Sequence, residues 1–431
     1  MNRTFLRTFL RTFVRPSSML AIAVLAAAGS AAAAADQVSV ETVRAAANRG
    51  DRDAMYTLGV MLATGRGTTE NDSDAAHWYR KAADAGDARA MANLGVLYAR
   101  GEGVKRDQNE ALDWYRKAAD HGNARAMAML GARFANGAGV NRDDAKAIEW
   151  YRKAADAGDA SAMFVLGSMY ARGRGVARSE SDAFAWHLKA ANAGDARAMT
   201  SVGTSYALGT GAAKDSAESL RWYRKAADAG DTTAMANLGV AYFDGNGVDK
   251  SVTEGLRWYR TAAECGDVLS MVALADYFGR SKGGGRDYNE AIKWYSRATA
   301  LGHTGAMTSL GAMLADGKGA EPNPAEAVRL FMVAAKAGVP EAMLNLSGMY
   351  SAGRGVFQND AEAYFWAKNG AESLTTPMRD SALAMSARLG AKLEPEMRAQ
   401  IDARHTEWLA REILPEDRAA KTRAAVGDDS R

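Results

Sequence analysis

Apolar and polar positions repeat every 36 residues from Asp51 to Leu374, which makes nine units with no change of length. The unit Asp87 to Gly122, DARAMANLGVLYARGEGVKRDQNEALDWYRKAADHG, shows the pattern. Ala90, Met91, Leu94 and Tyr98 fall on one face of a helix, and Ala111, Trp114, Tyr115 and Ala118 on one face of a second. Gly101 and Gly103 bound the loop between them, and Gly122 closes the second helix. Three rulers carry this period along the chain. Tryptophan recurs from Trp78 through Trp114 to Trp294, and the same step reaches Leu330 and Trp366. Methionine recurs from Met55 to Met343 and glycine from Gly50 to Gly338. Neither helix can bury its stripe alone, so the pattern predicts an all-α solenoid in which stacked units share one continuous core. The Trp and Met stripes are read as that core.

Start signals agree with these boundaries. Asp87 and its equivalents place a short polar side chain where an unpaired first-turn amide needs an acceptor; the exception, Val339, is followed by Pro340. Asp107 caps the second helix, and Glu110 three residues later completes a capping-box pattern, with an acid at this position in eight of nine units. Gly95 lies inside the first helix, where glycine costs about 0.5–1 kcal/mol relative to alanine. Its recurrence at Gly59, Gly131, Gly167, Gly203, Gly239 and Gly311 predicts a close helix crossing with no room for a side chain.

The run Ala90-Met91, Leu94-Gly95, then Tyr98, Gly101, Gly103 and Val104, then Ala111, Trp114-Tyr115, Lys117-Ala118-Ala119 and Gly122, resembles the Sel-one-like repeat family, a relative of the tetratricopeptide repeats. The resemblance covers about three quarters of the chain. It implies a right-handed α-solenoid with a concave binding surface, used as a scaffold or adaptor. Bacterial proteins similar to it are often exported, and some regulate envelope signalling, polysaccharide production or secretion by binding another protein. One branch of the family bridges the two helices of each unit with a disulfide and has been linked to penicillin binding. Cys265 is the only cysteine here, so that branch's β-lactamase-like activity does not carry over.

The ends of the chain leave the period. Residues 1–35 read as a signal peptide: Arg3, Arg7, Arg11 and Arg15, a short apolar core from Met19 to Ala28, and a small-residue cleavage site near Ala35. That apolar run is well short of the ~20 residues that span a bilayer, and no later stretch suggests a membrane span. Cleavage takes the formal charge from +3 to −1, which removes any argument for nucleic acid as a partner. The expected location is the periplasm. Residues 36–50 align with a second helix, Thr42 standing at the Trp position, and are expected to form an N-terminal cap. Residues 375–414 read as two capping helices, Pro377 to Leu389 and Pro395 to Leu414, with Met397, Ile401 and Trp408 on one side of the second. The polar tail, 415–431, is expected to be disordered.

Reactive groups are few. His77, His121, His187, His303 and His405 occupy unrelated repeat positions and read as structural, and Cys265 as a small packed thiol. The Gly-x-Gly loops follow a helix rather than a strand and lack a Walker lysine. The sequence thus offers no catalytic set, cofactor site or metal site. The pairs Arg80-Lys81, Arg116-Lys117, Arg152-Lys153 and Arg224-Lys225 are expected to lay their stems on apolar surface. The seventh unit departs most: Ser281 replaces a loop glycine, Gly283, Gly284 and Gly285 follow in a loop expected to be more mobile, and Asp276 enters the first helix. If first helices line the binding face, Arg89, Asn93, Arg100, Arg125, Arg172, Asn237 and Asp276 are the candidates to meet another protein or an extended peptide. The leading expectation is a non-catalytic periplasmic adaptor. The alternative is a cell-wall-directed enzyme or peptidoglycan-binding protein.

Overall fold

The computed structural model describes residues 39–280, 285–372, 374 and 378–412. The expected signal peptide, the start of the expected N-terminal cap, most of the glycine loop of the seventh unit and the polar tail lie outside these residues. Every regular element among the described residues is an α-helix. The chain divides into two compact units, Met1–Arg178 and Ser179–Arg431.

The first unit opens with α1 (Val40–Asn48), capped by the Ser39 hydroxyl on the Thr42 amide at 3.2 Å. Three helix pairs follow: α2 (Arg52–Thr64) with α3 (Asp72–Asp84), α4 (Ala88–Arg100) with α5 (Gln108–Asp120), and α6 (Ala124–Asn136) with α7 (Asp144–Asp156). α8 (Ala160–Arg172) ends it. The second unit starts with α9 (Glu180–Asn192). Its pairs are α10 (Ala196–Leu208) with α11 (Ser216–Asp228), α12 (Thr232–Asp244) with α13 (Val252–Glu264), and α14 (Val268–Arg280) with α15 (Tyr288–Ala300). Two more follow, α16 (Thr304–Asp316) with α17 (Pro324–Lys336) and α18 (Pro340–Ala352) with α19 (Asp360–Glu372). α20 (Met378–Gly390) and α21 (Pro395–Glu412) pack against α19.

Within each unit, each repeat helix packs on the next in sequence, as a stack of pairs requires. The predicted stripes are the core. Leu94, Trp114 and Tyr115 are buried, and Ala90, Ala111 and Ala118 are fully so, which lets backbones approach closely. Burying a leucine such as Leu94 contributes about 2 kcal/mol. Gly95 behaves as its recurrence predicts: a Cβ there would lie 2.6 Å from the Tyr115 ring. Gly103 serves a second contact, because a Cβ on it would lie 2.1 Å from the Asp72 carbonyl oxygen of the preceding pair, and its φ of +67° is left-handed.

The caps form with one difference from the sequence pattern. The Asp107 carboxylate accepts from the amides of Asn109 and Glu110 at 2.9 and 3.1 Å. The return half of a capping box is not made, because the Asp107 amide already donates to the Tyr98 carbonyl of the preceding helix at 2.9 Å. The same backbone bond occupies the cap amides of Asp143, Asp215 and Asp287. The acids three residues on turn outward instead, as Glu218 does to Arg221 at 2.6 Å and Glu326 to Arg329 at 2.6 Å.

Two expectations are corrected. Cys265 is exposed, because it is the C-cap residue of α13 and stands at the rim of the stack rather than inside it. On α21 the buried stripe is Ile401 and His405, with Trp408 edge-on to Trp366 at 5.4 Å; Met397, in the first turn, is exposed.

Candidate functional site: the face of the first helices

The basic residues of the second helices are committed within the fold. Lys81, Lys117, Lys153 and Lys225 place their ammonium groups 4.2–4.5 Å from the ring centres of Trp78, Trp114, Trp150 and Trp222. Arg80, Arg152 and Arg224 donate to the phenols of Tyr98, Tyr170 and Tyr242, one pair further on, at 2.6, 2.6 and 3.1 Å. These side chains join successive pairs and leave the first helices to present the variable surface.

Beneath that surface the recurrent tyrosines form a buried floor. Because glycine stands opposite, each ring packs against its own first helix. Asn93, one repeat on, lies beside the Tyr79 hydroxyl. Tyr223 meets the Thr204 hydroxyl of its own first helix at 3.1 Å. Tyr295 donates to Asp276 of its own first helix at 2.6 Å, with Ser309 of the next first helix beside it. Burial raises the pKa of Tyr79 and Tyr115, and it pushes Tyr295, with Asp276 adding, up to about 12. These phenols are therefore neutral donors and acceptors at any physiological pH. In the second unit this floor deepens into a hollow of about 520 Å³ crossing α14, α16 and α18, lined by Arg280, Tyr288, Tyr295, Ser309, Met313 and Asn345 among others.

The structure distributes the seven sequence candidates unevenly. Asn93, Arg100 and Arg125 all lie in the first unit: Arg125 is within electrostatic reach of Tyr79 and Tyr115, and Arg100 of Tyr115. Arg89 is tied down. It donates to Asp87 at 2.6 Å, pairs with Asp53 and covers the Tyr56 ring with its guanidinium 4.3 Å from the centre. Arg172 is exposed in the last turn of α8, away from that group along the first unit. Asp276 belongs to the second unit's hollow through Tyr295 and through Arg280 at 3.3 Å. Asn237 is half-buried on α12. The tyrosines are buried, as their place in the apolar stripe predicts, and what was missed is that each ring rests on the glycine of its own first helix. The pairing of Gly59 with Tyr79, Gly95 with Tyr115, Gly131 with Tyr151 and Gly203 with Tyr223 was the available signal.

Other chemistry is sparse among the described residues: no three His, Cys, Asp or Glu side chains are grouped to hold a metal ion. No described helix is long and apolar enough to cross a membrane.

The Sel1 repeat model matches nine consecutive segments, from 52–87 to 340–373, about three quarters of the chain. The chain belongs to the Sel1 repeat family. Sel1 repeat solenoids are scaffolds for protein–protein interaction, and members of the family are generally non-catalytic. Among solved structures, the Sel1 repeat chain is similar to a protective antigen present in uropathogenic Escherichia coli strains that displays an SLR fold. The two are 27% identical with a TM-score of 0.50, over 91% of this chain and 90% of that one. It is also similar to a Sel1 repeat protein from Oxalobacter formigenes, 36% identical over 52% of this chain and 99% of that one, with a TM-score of 0.48. No curated protein matches the chain.

Proposed function

We propose that this Sel1 repeat protein is a periplasmic adaptor that holds an extended stretch of another protein along its first helices and has no catalysis of its own. The observation that carries the reading is the hollow across α14, α16 and α18. A concave surface of polar side chains that spans three successive first helices offers donors and acceptors to a backbone laid across it. In the second unit Tyr295, Ser309 and Asn345 supply such groups within one hollow. The basic start at Arg3 to Arg15, the apolar run from Met19 to Ala28 and the alanines near Ala35 support export to the periplasm. There the adaptor would bias an envelope sensor, a polysaccharide system or a secretion system by holding one of its proteins.

The test is site-specific photo-cross-linking in cells producing the full chain. A photoreactive residue replaces Ser309 or Asn345 on the first-helix face, or Asp113 or Arg221 on the outer face of the second helices. Polypeptide adducts confined to the first-helix positions, in a periplasmic fraction, are the expected result. Adducts from both faces alike, cell-wall fragments in place of polypeptide, or a cytoplasmic location would overturn it.

A further inference from the structure

The first helices of the two units carry opposite charge. In the first unit α2, α4, α6 and α8 bear Arg52, Arg89, Arg100, Arg125, Arg133 and Arg172 against Asp53 alone, a net +5. In the second, α10, α12, α14, α16 and α18 bear Arg197 and Arg280 against Asp244, Asp276, Asp316 and Glu341, a net −2. Each unit also has three aspartates at the N-caps of these helices, among them Asp51 and Asp159 in the first and Asp195 and Asp231 in the second, so counting them leaves the difference unchanged. The second helices show no such segregation, and their basic groups are spent on tryptophan rings, tyrosine hydroxyls and acids of their own helices.

Arg125 shows how the first unit's charge is kept available. Arg89 and Arg197 stand at the same repeat position, and each is neutralised by the aspartate that caps its own helix, Asp87 and Asp195, at 2.6 Å. The cap before Arg125 is Asn123, which is neutral. Arg125 is exposed and makes no ion pair among the described residues, and it lies within electrostatic reach of the Tyr79 and Tyr115 hydroxyls. Arg133 stands over the Tyr115 ring at 5.5 Å and is bonded to neutral Gln108, so its charge is also uncompensated. Arg100 has only a loose contact to Glu102 at 3.7 Å, and Arg172 makes no ion pair among the described residues.

We infer that the first-helix face of the first unit docks an acidic, extended polypeptide segment of a partner protein, with carboxylates on Arg100, Arg125, Arg133 and Arg172. Arginine is the residue suited to this, because its planar fork matches a carboxylate with two parallel hydrogen bonds. Successive first helices lie about 10 Å apart. An extended chain covers that distance in about three residues at about 3.3 Å each, so the partner carries an acid at about every third position. The inference rests on the adaptor reading above and names the partner's chemistry at one part of the same face.

The experiment uses the full exported chain and a fluorescein-labelled dodecapeptide of Glu-Gly-Ser triplets, with Gln-Gly-Ser and Lys-Gly-Ser versions as controls. Binding is read by fluorescence anisotropy. Arg125 and Arg172 are outside the core, so Arg125→Glu/Arg172→Glu keeps the fold, which thermal unfolding checks; Arg125→Lys/Arg172→Lys keeps the charge without the fork. The expected result is binding of the acidic peptide alone, weakened as salt is raised and about tenfold or more weaker in the double Glu variant. The Lys variant falls between. Equal binding of the Gln peptide, no binding of the Glu peptide, or a folded double Glu variant that binds unchanged overturns the inference. Tighter, variant-sensitive binding of heparin or single-stranded DNA than of the peptide also overturns it, in favour of an anionic polymer. Cross-linking from position 125 separates the two readings: a polypeptide adduct with a neutral or basic partner segment removes the acidic assignment alone, whereas no polypeptide adduct at any first-helix position removes the adaptor reading with it.

Discussion

The Nδ1 atom of His405 on α21 lies 3.0 Å from the Oδ1 atom of Asn369 on α19. The Asn369 amide nitrogen donates to the Phe365 carbonyl at 2.8 Å, which fixes the amide's orientation. Oδ1 can only accept, so Nδ1 carries the hydrogen of a neutral imidazole. The two residues are both buried, and they hold the last helix to the end of the repeat stack.

A pH dependence follows. Burial lowers the His405 pKa below its ordinary 6.5; Lys368 lowers it further, while Glu372 and Asp402 oppose. A histidine whose folded pKa is below its unfolded one stabilises the fold above about pH 6.5, and that contribution is lost as pH falls through the unfolded value, because the unfolded chain takes up the proton first. Hydrogen exchange of α21 amides is expected to quicken at about pH 5.5 relative to about pH 7.5. His405→Gln, which keeps a donor toward Asn369 and cannot titrate, should flatten that difference. An unchanged difference would show that some other group opens the cap.

Two glycines of the first helices predict opposite outcomes for the same substitution. In Gly95→Ala the new methyl would meet the Tyr115 ring at 2.6 Å, with the Ala111 carbonyl at 3.2 Å behind it, so the ring must move. The expected cost is about 1–3 kcal/mol, well above the gain in helix propensity. In α18 the glycine has shifted one place, to Gly348, which faces open space. Gly348→Ala is expected to stabilise by about 0.5–1 kcal/mol. Chemical denaturation of the two variants would reveal the opposite signs.

These glycines also show how far the sequence could be read. The close crossing at Gly95 was legible, because a costly residue recurs at a fixed place and only a packing reason sustains it. What presses on it was not, since Tyr115 satisfies the core stripe whatever its ring packs against. The same limit applies to Arg80 and Tyr98. Their 18-residue separation recurs, but period alone does not say which faces of consecutive helices meet. Ion-pair state was least legible. Arg89 and Arg125 occupy one repeat position, yet the first is neutralised through Asp87 while the second follows Asn123. His405 and Asn369 are 36 residues apart, a full period, although the repeat pattern had already ended between them.

The phenol floor predicts an alkaline limit to stability. Burial raises Tyr151 and Tyr295 to about 12, against an ordinary 10.0. A raised folded pKa contributes stability that is complete below about pH 10 and is lost as pH climbs toward the folded value, since the unfolded chain releases the proton first. In a phenolate absorbance titration a slow fraction of the tyrosines is expected to ionise only as helical circular dichroism is lost. Ionisation of all tyrosines near pH 10 with full helicity retained would contradict the buried floor.

Asp231 joins two repeats through a single carboxylate. It caps α12 by accepting from the Ala234 amide at 2.8 Å, and it also accepts from the buried Thr200 hydroxyl of α10 at 2.9 Å. Asp231→Ala removes the cap and leaves that hydroxyl with only the Ala196 carbonyl at 3.2 Å, at an expected cost of about 1–2 kcal/mol. Asp231→Asn keeps an acceptor for both partners and should cost less. Thr200→Val removes the same inter-repeat bond from the other side, so combining it with Asp231→Ala should cost less than the two separate losses together. Full additivity in denaturant unfolding would mean that the cap alone, and not the bond between α10 and α12, is what Asp231 contributes.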